Sequence, residues 1–289
     1  MLEEELVANP DDLASHMAYA DYLTELGDPR GELIQIQLEL ERLPRTSNRW
    51  TGLRTRTLEL ITQHGRTWLG ELAPYLLEQS HTHAVPFQLH RGWLDALYLE
   101  NLTLNLARTV ALAPRIRLLS QLDIDGVTRE GPGPLAGGSD VPAHLALPSV
   151  FLLFASPNLS NLRKLQLKVQ HLTPEGVRAI VDSPCLRRLT HLGLHDPLLG
   201  TAGVEAIIES GILSRLKVLD LRECGLGDAT ARLLAHADLG NLDLLNLDDN
   251  HVSNDAAEAL RKKGVPVQAR QRFSDYYADV GVEYSDGEE

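Results

Sequence analysis

The sequence predicts an α/β solenoid, with parallel strands on the inner face and helices on the outer, preceded by an all-helical segment. Three observations carry this expectation. Leucine is in large excess, 56 of 289 residues against 4 Phe and 2 Met. The pattern Leu-x-x-Leu-x-Leu, with another aliphatic residue five positions on, recurs at near-constant spacing in the second half of the chain. The first eighty residues lack that pattern and show helical periodicity instead.

Taken in order, Leu13 to Leu26 reads as a helix with Leu13, Met17, Ala20 and Leu23 on one stripe, started by Asn9-Pro10-Asp11-Asp12. Gly27-Asp28-Pro29-Arg30-Gly31 is a turn: Gly27 suits the position after a helix end, and Pro29 prevents the helix from running on. Asp28 and Arg30 are expected to bridge this corner, and Asp21 to pair with Arg30 across the two helices. Glu32 to Leu43 resumes a helix, and two more are expected at about 53–64 and 67–78. A solenoid end exposes leucines, so a helical cap over it is the expected role of this segment; a docking surface is the alternative.

Four repeats align from Leu162, Leu189, Leu216 and Leu242, spaced 27, 27 and 26 residues apart (189−162, 216−189, 242−216). In each, Leu-x-Leu puts two side chains on one face of a short strand, because side chains alternate along a strand. This is the leucine-rich-repeat pattern. Its Asn/Cys position holds Gln170, Pro197, Cys224 and Asn250, and only the last two match the consensus. Helices follow, with Thr173, Thr201, Asp228 and Ser253 as their expected openings. Two weaker copies start at Leu94 and Leu119, which makes about six units; Val265-Pro266-Val267 offers a last short strand. The gap from 119 to 162 exceeds the period and contains a Gly/Pro-rich insertion, residues 128–148, read as a spacer or else a lid or partner contact. No unit can bury its leucines alone, so stacking must supply the core. The expected domains are residues 1–86 (helical), 87–268 (repeats) and 269–289 (acidic tail).

Asn9-Pro10-Asp11-Asp12, Tyr19-Ala20-Asp21-Tyr22-Leu23 and Gly27-Asp28-Pro29-Arg30-Gly31-Glu32-Leu33-Ile34 resemble the bacterial repeat-companion domain. His64-Gly65, Trp68-Leu69-Gly70 and Arg91-Gly92-Trp93 look similar to such proteins too. Tyr22 stands where that family more often has tryptophan. The repeats themselves resemble the ribonuclease-inhibitor type, a horseshoe with parallel strands inside and helices outside. The resemblance implies a bacterial source and an architecture, and no activity.

The chain carries 40 acidic and 27 basic residues, a net charge of −13, which opposes a general nucleic-acid binder. The cluster Arg42, Arg45, Arg49, Arg54 and Arg56 around Trp50 is read as a solvated helix junction. No apolar run approaches a membrane span, the acidic start Met1-Leu2-Glu3-Glu4-Glu5 is no secretory leader, and two cysteines make no disulfide framework. A cytoplasmic location is expected.

No nucleophile elbow, phosphate loop or His-Glu-x-x-His is present, so no catalytic residue, cofactor or metal site is expected. Cys185 and Cys224 read as structural. His191 and His195 lie four residues apart on one strand, about 13 Å, too far to share a metal. His81, His83 and His90 are a weak metal candidate. The leading expectation is a non-enzymatic interaction module binding a protein on its concave face. An inhibitor or immunity protein for a basic toxin or nuclease, and a regulator of a small GTPase, are the alternatives; an enzyme is the opposing class. The partner surface is placed at His191, His195, Asp220, Arg222, Asn246 and Asp248, with an acidic end at Asp220, Glu223, Asp243, Asp248 and Asp249 that suits a basic partner. Asp220 and Asp248 are expected to be solvent-facing, so their reversal to Lys should leave melting nearly unchanged. The tail from Ser274 to Glu289 carries six acids with Tyr276, Tyr277 and Tyr284, and reads as a solvated tail or a peptide that mimics a partner.

Overall fold

The computed structural model describes residues 2–78, 86–127, 147–169 and 172–270. Among the described residues the fold is mixed α/β, with eight strands in one sheet in chain order. The described residues fall into two compact units. Within the described residues, one takes in those up to 127 with Leu147–Leu165 and Ser183–Leu189, the other those of 166–182 and 190–270. The expected insertion and acidic tail, with His81, His83 and Gln170, lie outside the described residues apart from the edges of those segments.

The first unit opens with α1 (Leu2–Ala8), which the periodicity did not reveal, then α2 (Leu13–Glu25), α3 (Pro29–Leu40) and α4 (Asn48–Leu69). Asp12 caps α2 by accepting from the Ser15 N–H at 3.0 Å. Asp28 caps α3 through the Arg30 backbone N–H at 2.8 Å, so it bridges the corner through the main chain. The expected Asp21–Arg30 pair is corrected. Arg30 donates to the Tyr19 hydroxyl at 2.8 Å and lies over the Tyr19 and Trp93 rings, whereas Asp21 accepts from Gln35. A guanidinium stacked on two aromatic rings is better placed than one reaching an exposed carboxylate. Met17, expected on the buried stripe, is 48% exposed; Tyr19, Ala20 and Leu23 do the packing. The helix expected at 53–64 is part of a longer one, α4, started by Ser47 and closed where Gly70 takes a positive φ of 53°; most of the one expected at 67–78 is instead a 3₁₀ turn, Gly70–Leu72, and a π-helical turn, Pro74–Glu78.

β1 (Phe87–His90) pairs antiparallel with β2 (Trp93–Leu99) through a two-residue turn. Arg91 and Gly92 both take positive φ, 48° and 73°, the hairpin turn whose twist matches the strands. Glycine is required at 92 for a second reason: a Cβ there would run into the Ile34 side chain of α3. Gln37, buried on α3, ties the hairpin down. It donates to the Leu89 carbonyl at 2.8 Å and accepts from the Gly92 N–H at 2.7 Å. Leu6, Tyr19, Ala20, Leu23, Ile34 and Leu38 pack with Trp93 and Leu118 as one core. β2 then runs parallel to β3 (Gln121–Asp125), with α5 (Leu104–Leu112) between them. α6 (Leu147–Phe154) precedes β4 (Lys164–Lys168), the strand in which the division between the units falls.

The second unit continues with α7 (Pro174–Val181), β5 (His191–His195), α8 (Gly200–Glu209), β6 (Val218–Asp220), α9 (Asp228–His236), β7 (Leu244–Asn246), α10 (Asn254–Arg261) and β8 (Val267–Gln268). β5 to β8 are parallel and in register. Leu192 and Leu194, Leu219 and Leu221, Leu245 and Leu247 are each at most 1% exposed, the inward face that two-residue alternation requires. The helices meet them with Val177 and Ile180, Val204 and Ile207, Ala231 and Leu234, Ala257 and Leu260, all buried and three residues apart. Thr173 and Ser253 cap their helices as expected. Thr201 and Asp228 do not cap theirs: Thr201 pairs with the Thr230 hydroxyl, and Asp228 accepts from the backbone and hydroxyl of Ser253. Both side chains join neighbouring turns rather than closing their own.

Candidate functional site

The outward rows of β5, β6 and β7 form the candidate surface. Register places Gly193, Asp220 and Asn246 side by side on adjacent strands, ~4.8 Å apart, with Gln268 next to Asn246. Beyond them the chain turns in the same way twice. The Asp220 carboxylate accepts from the Arg222 N–H at 3.2 Å, and the Asn246 side-chain carbonyl accepts from the Asp248 N–H at 2.9 Å. The residues that follow, Glu223 and Asp249, both take a left-handed φ of 57°, a conformation that side chains adopt only when the surroundings fix it.

Here the fixing is done by Asn250, which is buried. Its side-chain oxygen accepts from Cys224 N and Leu226 N, both at 3.0 Å; its NH2 donates to Leu221 O at 2.7 Å and Leu247 O at 3.0 Å. Cys224, at the equivalent position one unit earlier, donates its thiol to Leu194 O at 2.9 Å. Burial pushes that thiol up to about 12, which removes it as a nucleophile. At the third such position stands Pro197, which has no side-chain donor or acceptor. The preceding residue, Asp196, takes over: fully buried, it accepts from the N–H groups of Leu172 and Leu198. Sequence reading missed Asp196, although an acid beside a proline in a leucine frame was the available signal.

The six residues singled out from sequence are brought together in this unit but differ in access. Asp220 and Asp248 are only 4% and 7% exposed, and Asn246 is buried too, so the expectation that the two acids face solvent is corrected. The reason is hydrogen bonding. Asp220 is gripped by the Arg222 guanidinium, with Nη2 at 2.5 Å and Nε at 3.0 Å, and has His195 Nε2 at 3.5 Å. Burial pushes the Asp220 carboxyl up, but the nearby His195 and the bonds from Arg222 outweigh it and hold the group well below the usual carboxylate range. Asp248 accepts from the Arg270 N–H at 2.7 Å and so anchors the last strand. The accessible groups are His191, His195 and Arg222, each partly exposed, with Glu223 and Asp243 exposed at the acidic end and Asp249 partly so. Gly193 leaves a gap in its row that the Gln166 side chain covers.

Among the described residues no group of three or more His, Cys, Asp or Glu is placed to hold a metal ion, and no helix is long and apolar enough to cross a membrane. The surface offers charges and imidazoles on short, tied strands.

No protein-family model matches the chain, and no curated protein does. Among solved structures, it is similar to a structural-genomics protein from Bacteroides fragilis at 22% identity and a TM-score of 0.40, over 58% of this chain and 50% of that one. The chain thus spans about half the length of that protein.

Proposed function

We propose that this chain is a bacterial leucine-rich-repeat protein of the ribonuclease-inhibitor type, with its N-terminal helices as a repeat-companion cap, and that it binds a basic protein partner on the β5–β7 face. The repeat reading is supported by six strands that start within two residues of the six leucine motifs, with a helix between each consecutive pair. The binding reading rests on one observation above the rest. His191 and His195 on β5 and Arg222 just past β6 stand partly exposed among residues tied by buried Asp220, Asn246 and Asn250, with the exposed carboxylates of Glu223 and Asp243 in the same repeats. Side chains held this way lose little freedom on binding, and the exposed acids steer a basic partner.

The exposed acids Glu223 and Asp243 test this face. Glu223→Lys with Asp243→Lys, in the full chain, should leave the melting temperature within about 2 °C of wild type, since both side chains are solvent-facing. The protein captured by wild type from the native cell should associate at least about tenfold more slowly with the double variant, and more slowly with wild type as salt rises. Unchanged association in the double variant overturns the assignment of this face.

A further inference from the structure

The first unit contains a cavity of about 240 Å³ that the partner-binding reading does not use. Its lining includes Asp11 from the loop before α2, Arg91 from the hairpin turn, Asp95 from β2, Ser120 just ahead of β3 and Arg163 just ahead of β4. It is smaller than the ~300 Å³ at which drug-sized pockets begin, which suits a smaller ligand.

Two of these side chains keep charged atoms that no described residue uses. Arg91 gives Nε and Nη2 to Glu41, at 2.8 and 2.9 Å, and its side chain is 16% exposed. Nη1, with two N–H groups, has no partner among the described residues. Asp95 is half-buried and accepts from the Ser120 hydroxyl at 2.6 Å through Oδ1; Oδ2 has no partner among the described residues. Neither Nη1 nor Oδ2 is among the unbonded polar atoms sealed from water, so solvent reaches both. Arg163, bonded to Asp11, holds the Asp11 carboxyl low, and Arg91 adds to this through space, so the Arg91 guanidinium acts across the same recess.

The lining carries charges of both signs, Asp11 and Asp95 against Arg91 and Arg163. Arg163 is paired with Asp11, whereas Asp95 has only the neutral Ser120 hydroxyl on its carboxylate. The recess therefore offers an unpaired carboxylate oxygen and unused guanidinium N–H groups. A simple anion that takes Arg91 Nη1 is left facing Asp95. A simple cation that takes Asp95 is left facing two guanidinium groups. Like charges brought together in a half-buried site repel. A molecule with one positive and one negative end meets both demands.

We propose that Arg91 Nη1 and Asp95 Oδ2 are presented to this cavity and that it binds a small zwitterion, an amino acid in the broad sense. The ligand's ammonium donates to Asp95 Oδ2, and its carboxylate accepts from the Arg91 Nη1 N–H groups. Glu41 holds the Arg91 fork and Ser120 holds the Asp95 carboxylate, so both groups are fixed before the ligand arrives and little freedom is lost on binding. The site lies wholly within the first unit and is independent of the β5–β7 face.

The experiment titrates the ¹⁵N-labelled full chain with glycine, 4-aminobutyrate and 6-aminohexanoate, whose charged ends lie progressively further apart. Butylamine, which carries only the cation, and butyrate, which carries only the anion, are the controls. The backbone N–H signals of Gly92, Asp95 and Ser120 are followed by NMR. At least one zwitterion should give saturable shifts there in the millimolar range or tighter, with both controls at least about tenfold weaker. Asp95→Asn keeps the shape and an acceptor for Ser120, and should remove the preference for that zwitterion over butyrate, since the charge that repels an anion is gone. The wild-type titrations decide the matter whether or not that variant folds. Three results overturn the proposal: no saturable shift at these signals with any of the three zwitterions; butylamine or butyrate binding as tightly as the best of them; or an undiminished preference in a folded Asp95→Asn protein.

Discussion

Replacing Asp220 by Asn tests how the sheet face is held. The carboxylate is 4% exposed and receives Arg222 through Nη2 at 2.5 Å, Nε at 3.0 Å and the backbone N–H at 3.2 Å. Breaking a fully buried ion pair costs about 3–5 kcal/mol. The Arg222 side chain is 35% exposed, so water re-solvates part of the guanidinium, and Asn keeps one acceptor for the backbone N–H. The expected loss is therefore about 2 kcal/mol near neutral pH. Asp220→Lys should cost about 4 kcal/mol or more, because it puts an ammonium against Arg222 and His195. The sign of the pH dependence follows from the depressed carboxyl. Its contribution is present above the unfolded value of 3.8 and is lost as pH falls through the lower folded value, so the gap between wild type and Asp220→Asn should close only below 3.8. Urea unfolding followed by circular dichroism measures both. A deficit under about 0.5 kcal/mol, or one unchanged in acid, would refute the claim that the Arg222–Asp220 pair braces β6.

Three further outcomes are expected. Asn250→Ala strips partners from two N–H groups and at least two carbonyls and should cost about 3–4 kcal/mol in the same assay, whereas exposed Asn254→Ala should stay within about 0.5 kcal/mol. In thiol labelling of the native protein, Cys185, which is partly exposed, should react well before Cys224, which should need denaturant; comparable rates would contradict the buried thiol's upward shift. Burial depresses the imidazole of His16, helped by nearby Arg91 and His90 and opposed by the Pro10 carbonyl and Glu41, so the unfolded chain binds a proton that the folded chain refuses. Stability should fall as pH drops below 6.5 toward the folded value, and this component should be missing from His16→Gln when midpoints are compared across that range.

The sequence alone fixed the strand positions, because a Leu-x-Leu alternation at a period of 26–27 residues has one economical solution: each strand turns its leucines inward and each intervening helix covers them. It placed α2, α3 and their corner for a similarly local reason, since Asp12, Asp28 and Pro29 act on the main chain within three residues. It also gathered the six surface candidates, because register follows from the repeat. What it did not reveal are contacts that only the folded chain assembles. β1 was hidden because its partner is the next strand and its turn needs Arg91 at positive φ, which Gln37 of α3 stabilises from 55 residues away at Gly92. Arg30 turned from Asp21 to the rings of Tyr19 and Trp93 because only folding brings Trp93 there. Asp220 and Asp248 look like surface acids in any one repeat. Their burial was decided by neighbours one strand over and two residues on: His195 and Arg222 for the first, the Arg270 backbone for the second. Local periodicity sets which face a residue takes; the groups that stacking brings against that face determine whether water still reaches it.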